Sequence, residues 1–187
     1  MLDVAFYNLL MEAFDALYSA GPVEPIAFCE PGASGVLVCP CGNPPTGVGR
    51  GCNNSSATGG ASLSAAGDAS LGADSLVFST AGEKPTATSV VLQGSAANSG
   101  AVFGQGVRCV TGTLKRLYVK TAVGGSITAP VVGDPRVSVR SAALGDVIAA
   151  GTSRYYGVYY RDPVVLGGCP AASTFNITNQ LAVYWVP

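Results

Sequence analysis

The stretch Cys39–Cys52, CPCGNPPTGVGRGC, contains three cysteines, and Val48 is its one large apolar residue. It belongs to a longer segment, residues 22–60, that is rich in proline, glycine, serine and asparagine. A chain of this composition cannot bury enough apolar surface to offset the entropy that it loses on ordering. We therefore expect covalent bonds to hold this segment in place.

The spacing of the cysteines argues against a metal or redox site. Zinc sites built from paired turns commonly have about two to four residues between neighbouring cysteines, whereas one residue separates Cys39 from Cys41. The chain has no histidine to complete a set of metal ligands, and it lacks the Cys-x-x-Cys motif of a redox site. Disulfides remain, and they indicate an oxidising compartment.

The six cysteines predict three bridges whose pairing stays partly open. A bond between Cys39 and Cys41 would be strained. Two arrangements of the clustered cysteines remain, of which we favour the first: Cys29–Cys39 with Cys41–Cys52, or Cys29–Cys41 with Cys39–Cys52. In both of them Cys109 and Cys169 are left to pair with each other.

Residues 1–21 predict an amphipathic helix. Its apolar face carries Phe6, Leu10, Phe14 and Leu17 at helical spacing, and Gly21-Pro22 ends the pattern. The helix has no positively charged start, and acidic residues interrupt its apolar run, so we expect neither a signal peptide nor a membrane span. Its apolar face packs either on its own domain or on a neighbouring subunit.

From about residue 61 onward, short alternating segments between turn signals predict an antiparallel β-sandwich of jelly-roll or Greek-key type. The division of the chain is then a helix at 1–21, a cross-linked segment at 22–60 and a sandwich at 61–187. The predicted strands are 61–66, 75–80, 87–93, 100–104, 107–110, 113–122, 135–140, 153–161, 174–178 and 181–186.

The charge is unevenly distributed along the chain. Residues 1–35 contain five acidic and no basic side chains, whereas the remainder contains ten basic and six acidic ones. A scattered positive charge of this size does not predict a nucleic-acid partner, which needs a concentrated basic surface. An acidic arm beside a basic body instead favours contacts between copies of the same chain.

The absence of histidine excludes Ser-His-Asp and Cys-His catalysis. We predict no enzymatic activity, no metal and no cofactor. A hydrolase that uses two carboxylates is a third, weaker alternative. Its candidate residues mostly lie beside glycine or proline, where an acidic side chain more often supports a turn; they are Asp68, Asp74, Glu83, Asp134, Asp146 and Asp162.

The sequence suggests two surface functions, carbohydrate binding and N-glycosylation, and each has a simpler alternative. Tyr155, Tyr159 and Trp185 would form a carbohydrate-binding platform if they shared an exposed face, although aromatic residues in alternating strands are more often core residues. Asn53, Asn54 and Asn176 match the tripeptide of N-glycan acceptors, a pattern that often arises by chance.

Five stretches of the chain stand out as motifs: AFCEPG, CPCGNPP, VFGQGVRC, RYYGVYYRDP and STFNITNQL. Over about residues 27–187 they resemble a family of secreted domains that is common in planctomycetes and related bacteria and has no assigned function. Many members carry Gly-Asp-Gly after the first cysteine, where this chain has Glu30-Pro31-Gly32, so the likeness supports no calcium site at that turn. It implies a β-rich fold and an extracellular setting, and it provides no catalytic residue.

These features together predict an extracellular structural protein, a surface or matrix subunit that self-associates into an oligomer or filament. The predicted association residues are Phe6, Leu10, Phe14 and Leu17. Carbohydrate is the alternative partner.

Overall fold

The computed structural model describes residues 24–170 and 172–187 of this chain. The predicted N-terminal helix, with Phe6, Leu10, Phe14 and Leu17, lies outside the described residues. No helix in the described part is long and apolar enough to cross a membrane.

The described residues form eleven strands and one helix. They are β1 (Ile26–Ala27), β2 (Ser62–Ala66), β3 (Val77–Ala81), β4 (Thr88–Gly94), β5 (Ala96–Phe103), β6 (Gly106–Thr111), β7 (Lys115–Thr121), β8 (Thr128–Ala129), α1 (Val137–Ala143), β9 (Thr152–Arg161), β10 (Phe175–Ile177) and β11 (Leu181–Trp185).

The strands form three antiparallel sheets. The largest has the order β1-β11-β9-β4-β7, and β10 adds to one end of β9. A second sheet has the order β2-β3-β8, and β5 and β6 form a separate hairpin. The mostly β fold with antiparallel pairing, predicted from the alternating segments, is confirmed.

The main core lies between the six-stranded sheet and the β2-β3-β8 sheet. Because successive side chains of a strand point to opposite faces, Tyr156, Val158 and Tyr160 of β9 all enter this core. Trp185 joins them from β11 and donates a hydrogen bond from its indole N–H to the Tyr156 hydroxyl at 3.1 Å. Phe78 packs on Tyr156 from the smaller sheet, with ring centroids 4.7 Å apart.

The opposite face of the large sheet is covered by other parts of the chain. Tyr155 contacts Phe28, which follows β1, and Tyr159 contacts Phe103 at the end of β5. A small second core forms here around buried Cys29, Cys109 and Val107. The loop after β1 and the β5–β6 hairpin therefore make a third layer on this face.

The predicted strands differ from the observed ones at four places. Residues 135–140 were predicted as a strand because Val137 and Val139 alternate with polar residues, but they begin helix α1. The helix is supported by Asp74, whose carboxylate accepts hydrogen bonds from the backbone and hydroxyl of Ser138 at 2.7 and 2.6 Å. The prediction missed the two-residue strands β1 and β8 and the first half of β5, whose small residues carry little apolar signal.

All six cysteines are paired, but the favoured pairing is wrong. The bridges are Cys29–Cys109, Cys39–Cys52 and Cys41–Cys169, with Cα atoms 6.0, 5.7 and 4.9 Å apart. Only Cys39–Cys52 occurred in a predicted arrangement, the second one. The other two bridges span 80 and 128 residues and join the turn-rich segment to the β-body.

Buried amide side chains strengthen this attachment, because they form hydrogen bonds with backbone groups that lie far away along the chain. The Gln180 side-chain oxygen accepts hydrogen bonds from the N–H groups of Cys109 and Val110 at 2.7 and 2.8 Å, and its nitrogen donates to the Val107 carbonyl at 3.0 Å. Asn43 in the turn-rich segment donates to the carbonyls of Asn53 and Gln105 at 2.6 and 3.0 Å. These bonds satisfy backbone groups of β6 and of the loops beside it.

The observed pairing can be checked chemically. Non-reducing peptide mapping should recover the Cys29–Cys109 and Cys41–Cys169 links, and recovery of a Cys109–Cys169 peptide would contradict the structure.

The bridges also predict a difference in stability. Replacing both Cys41 and Cys169 with alanine should lower the free energy of unfolding by about 5 kcal/mol, and replacing both Cys39 and Cys52 should lower it by about 3 kcal/mol. The first value is larger because, in the chain-entropy account, a bridge that closes a larger loop restricts the unfolded chain more. Urea titration measures both values.

The amide bonds predict a second stability effect. Gln180→Ala should lower the free energy of unfolding by about 3 kcal/mol, because it leaves two buried N–H groups without acceptors. Thr88→Ala, at an exposed position at the start of β4, is the control and should change the value by no more than about 0.5 kcal/mol. Equal effects of the two substitutions in urea titrations would show that the Gln180 bonds add nothing.

Candidate functional site

A groove of about 440 Å³ opens between the β5–β6 hairpin and the outer face of the large sheet. We call it the hairpin groove. It is lined by Leu92, Phe103, Arg108, Leu114, Arg116, Tyr159 and Phe175. The lining is thus aromatic, aliphatic and cationic, and it contains no carboxylate.

Strand register brings the groove residues together. Tyr159 points to the outer face of β9, and β10 pairs with the same end of that strand through Ile177 and Phe175. The tip of the hairpin is fixed against β10 because the Gln105 N–H donates to the Phe175 carbonyl at 2.8 Å. Gly104 at this tip has a φ of 62°, and a side chain there would overlap the Phe175 carbonyl.

Three aromatic rings form the floor and one side of the groove. The Phe103 centroid lies 5.6 Å from that of Tyr159 and 4.8 Å from that of Phe175, and both ring pairs meet edge to face. Tyr159 and Phe175 are 6.5 Å apart. All three rings are half-buried, so their remaining surface is available to a bound molecule.

Two arginines provide the charge of the groove. The Arg108 guanidinium carbon lies 4.8 Å from the centroid of the Phe103 ring, a cation–π arrangement that fixes its orientation. Its Nε is buried and has no hydrogen-bond partner in the described part of the chain. Arg116, on β7, is exposed. Among the described residues neither arginine forms an ion pair, so the groove carries two positive charges that no described carboxylate balances.

The acidic candidates lie elsewhere and are mostly engaged in structural bonds. Arg154 binds Asp146 through two hydrogen bonds, at 2.8 and 3.0 Å, and these hold the pKa of that carboxyl below its usual value. Lys120 donates one hydrogen bond to Asp134 at 2.6 Å, and this bond likewise lowers the pKa of the Asp134 carboxyl. Asp162 accepts hydrogen bonds from Ser55, and Asp68 is exposed in a turn after β2. None of the described acidic groups forms a cluster that would hold a metal ion.

The predicted aromatic platform does not assemble. Trp185 is fully buried in the main core, on the opposite face of the sheet from Tyr155 and Tyr159. Tyr155 packs against Phe28 outside the groove lining. Of the three predicted residues only Tyr159 lines the groove, and its aromatic neighbours there are Phe103 and Phe175.

Two of the three predicted glycan acceptors are inaccessible. Asn176 is fully buried, and its side-chain nitrogen donates to the carbonyls of Cys52 and Asn53 at 3.2 and 3.1 Å. The nitrogen of buried Asn54 donates to Thr58 and to the Gly82 carbonyl, each at 2.8 Å. An acceptor nitrogen must be free and exposed, so both predictions fail for the folded chain. Modification of half-buried Asn53 stays a prediction.

Comparisons of the chain with models of known protein families, with curated proteins and with solved structures found no match.

Four of the residues that line the groove were not predicted as site residues: Phe103, Arg108, Arg116 and Phe175. A usable signal was present at Arg108-Cys109, because adjacent strand residues point to opposite faces. A buried disulfide at Cys109 requires Arg108 to face away from the small core. No feature of the sequence placed Phe175 beside Phe103, since their contact depends on the packing of β10 against the hairpin.

Glu83 gives a prediction about pH. It is buried with Ser89 donating to it, and burial raises its pKa above the ordinary value of 4.5. Between pH 4.5 and the raised pKa, the folded chain therefore binds more protons than the unfolded chain. The free energy of unfolding should fall as the pH rises through this range. Glu83→Gln should flatten this part of the profile of unfolding free energy against pH, measured by urea titration. Glu24→Gln, at an exposed position, should preserve the wild-type slope; an unchanged slope in Glu83→Gln would disprove the assignment.

Proposed function

We propose that this chain is an extracellular structural domain, a surface or matrix subunit that self-associates and has no catalytic role. Three disulfides join the turn-rich segment and the β-body, and such bonds persist in oxidising compartments outside the cytosol. The likeness of its motifs to secreted bacterial domains points in the same direction.

The observation that carries the proposal is the composition of the hairpin groove. Tyrosine and arginine are the residue types that dominate binding energy at protein interfaces, and here Tyr159 and two arginines converge with two phenylalanines. The groove has no carboxylate, and its lining offers no nucleophile with an adjacent base. It is therefore built to hold a partner and not to transform a substrate.

The long edge strand of the main sheet does not offer a second route of association. At β7, the Arg140 side chain donates from Nε to the Leu117 carbonyl at 2.8 Å. Lys120 of the same strand is paired with Asp134 in the following loop. Capped carbonyls and charged side chains are features that protect sheet edges from pairing with other chains, which favours association through side-chain surfaces.

Carbohydrate binding is the second candidate, and the position of Tyr159 in the groove favours it. Stacking on a sugar needs a flat exposed face, whereas the Tyr159 and Phe103 rings meet at 85°. Inclined rings of this kind make a notch that fits branched or aromatic side chains, so we prefer a protein partner.

Self-association predicts a defined effect of the N-terminal segment. Replacing Phe6, Leu10, Phe14 and Leu17 with serine should convert the assembly to a monomer, because the apolar face would no longer gain from burial. Light scattering coupled to size exclusion measures the mass over a range of protein concentrations.

The matched control replaces Asn8 and Ser19, on the polar side of the same predicted helix, with alanine and should leave the assembly intact. A monodisperse wild-type monomer at every concentration would disprove the proposed function.

A further inference from the structure

We propose that the hairpin groove is the binding site for residues 1–21 of a second copy of this chain. The inference rests on the proposed self-association and names its two contacting surfaces. The groove is the receptor, and the predicted amphipathic helix of the neighbouring copy is the segment that enters it.

The two surfaces are complementary in charge. Residues 1–21 contain Asp3, Glu12 and Asp15 and no lysine or arginine. The groove presents Arg108 and Arg116, neither of which is paired with a described carboxylate. Ion pairs of this kind steer association and select the partner.

Arg108 shows a specific unmet requirement. Its guanidinium is paired with no described carboxylate, and its buried Nε has no hydrogen-bond partner among the described residues. An incoming carboxylate would pair with the terminal nitrogens of this guanidinium, whose carbon lies 4.8 Å from the centroid of the Phe103 ring. This is the feature that favours an acidic partner over a neutral one.

The apolar parts also match. The segment presents Phe6, Leu10, Phe14 and Leu17 along one predicted face. The groove presents three inclined rings with Leu92 and Leu114 beside them. A volume of about 440 Å³ accommodates a few large side chains and not a whole helix, so one or two of the four residues would enter while the others cover the rim.

Strand register favours a second copy over the chain's own segment. Ile26 of β1 is aligned with Ala182, and Ala182 with Tyr155 of β9. From Ile26 back to Glu24 the chain therefore leaves the sheet toward Arg154. Tyr159 lies four residues from Tyr155 in the other direction, about 13 Å away at the rise of a strand. The segment thus starts at the end of the sheet that points away from its own groove.

This arrangement gives each copy one donor segment and one acceptor groove on different surfaces. Contacts of this head-to-tail kind form rings when the rotation closes and open filaments when it does not. The inference therefore accounts for an oligomer or filament with a single type of contact.

A complementation experiment on full-length chains tests the inference. The donor-deficient variant carries Phe6, Leu10, Phe14 and Leu17 replaced with serine and keeps an intact groove. The acceptor-deficient variant, Leu114→Asp with Arg116→Glu, changes two exposed lining residues and keeps an intact segment. Each should be monomeric alone, and the two should form a 1:1 heterodimer on mixing, without longer species. Circular dichroism and the absence of free thiols check that both variants are folded.

Single substitutions test the charge contacts. Arg116→Glu alone should raise the dissociation constant of the assembly by about tenfold. A second chain in which Glu12 and Asp15 are replaced with lysine should restore its binding. Arg136→Glu is the matched control, because Arg136 is exposed and lies outside the groove lining; it should leave the dissociation constant unchanged.

Three results would overturn the inference while leaving self-association in place. The first is assembly of the acceptor-deficient variant at wild-type strength. The second is failure of the two variants to combine on mixing, which would show that an intact segment does not bind the intact groove of another copy. The third is loss of binding to polygalacturonate by Arg116→Glu with unchanged assembly, which would make the groove a sugar site. A wild-type monomer would instead defeat the proposed function itself.

Discussion

The bond between Cys29 and Cys109 is the constraint on which the rest of this structure depends. It joins the loop after β1, which has few apolar side chains, to the middle of β6. Cys109 is fully buried, and the Gln180 side chain holds the neighbouring backbone through two accepted hydrogen bonds. The position of the hairpin on the large sheet, and with it the space beneath Phe103, follows from this covalent contact and its amide support.

The same strand connects stability to binding. Since adjacent side chains of β6 point in opposite directions, the turn of Cys109 toward the small core directs Arg108 into the groove. The guanidinium then lies against the Phe103 ring, away from every described carboxylate. A residue that lines the groove is thereby oriented by its neighbour in the interior, which explains how a small hairpin holds a charged group in place.

Much of the β-body could be predicted from the sequence because period-two alternation is a local property. Segments such as 153–161 and 181–186 carry it strongly and appear as β9 and β11. The alternation of Val137 and Val139 was misleading, because contacts of Ser138 with distant Asp74 decide for a helix. The prediction of the disulfide pairing was wrong for a related reason. It paired cysteines that are close along the chain, whereas Cys29 and Cys41 bond to cysteines 80 and 128 residues away. The groove likewise depends on a meeting of β6, β9 and β10 that no local pattern encodes.

The long reach of the Cys41–Cys169 bridge has a consequence for biogenesis. A chain that enters an oxidising space from its N-terminus exposes Cys29, Cys39, Cys41 and Cys52 before either distant partner has been translocated. Of these four, only Cys39 and Cys52 belong together. Correct pairing therefore needs Cys29 to stay free until Cys109 arrives and Cys41 until Cys169 arrives, or else a later exchange of wrong pairs. In an oxidising compartment the order in which the thiols are oxidised thus matters as much as the oxidation itself.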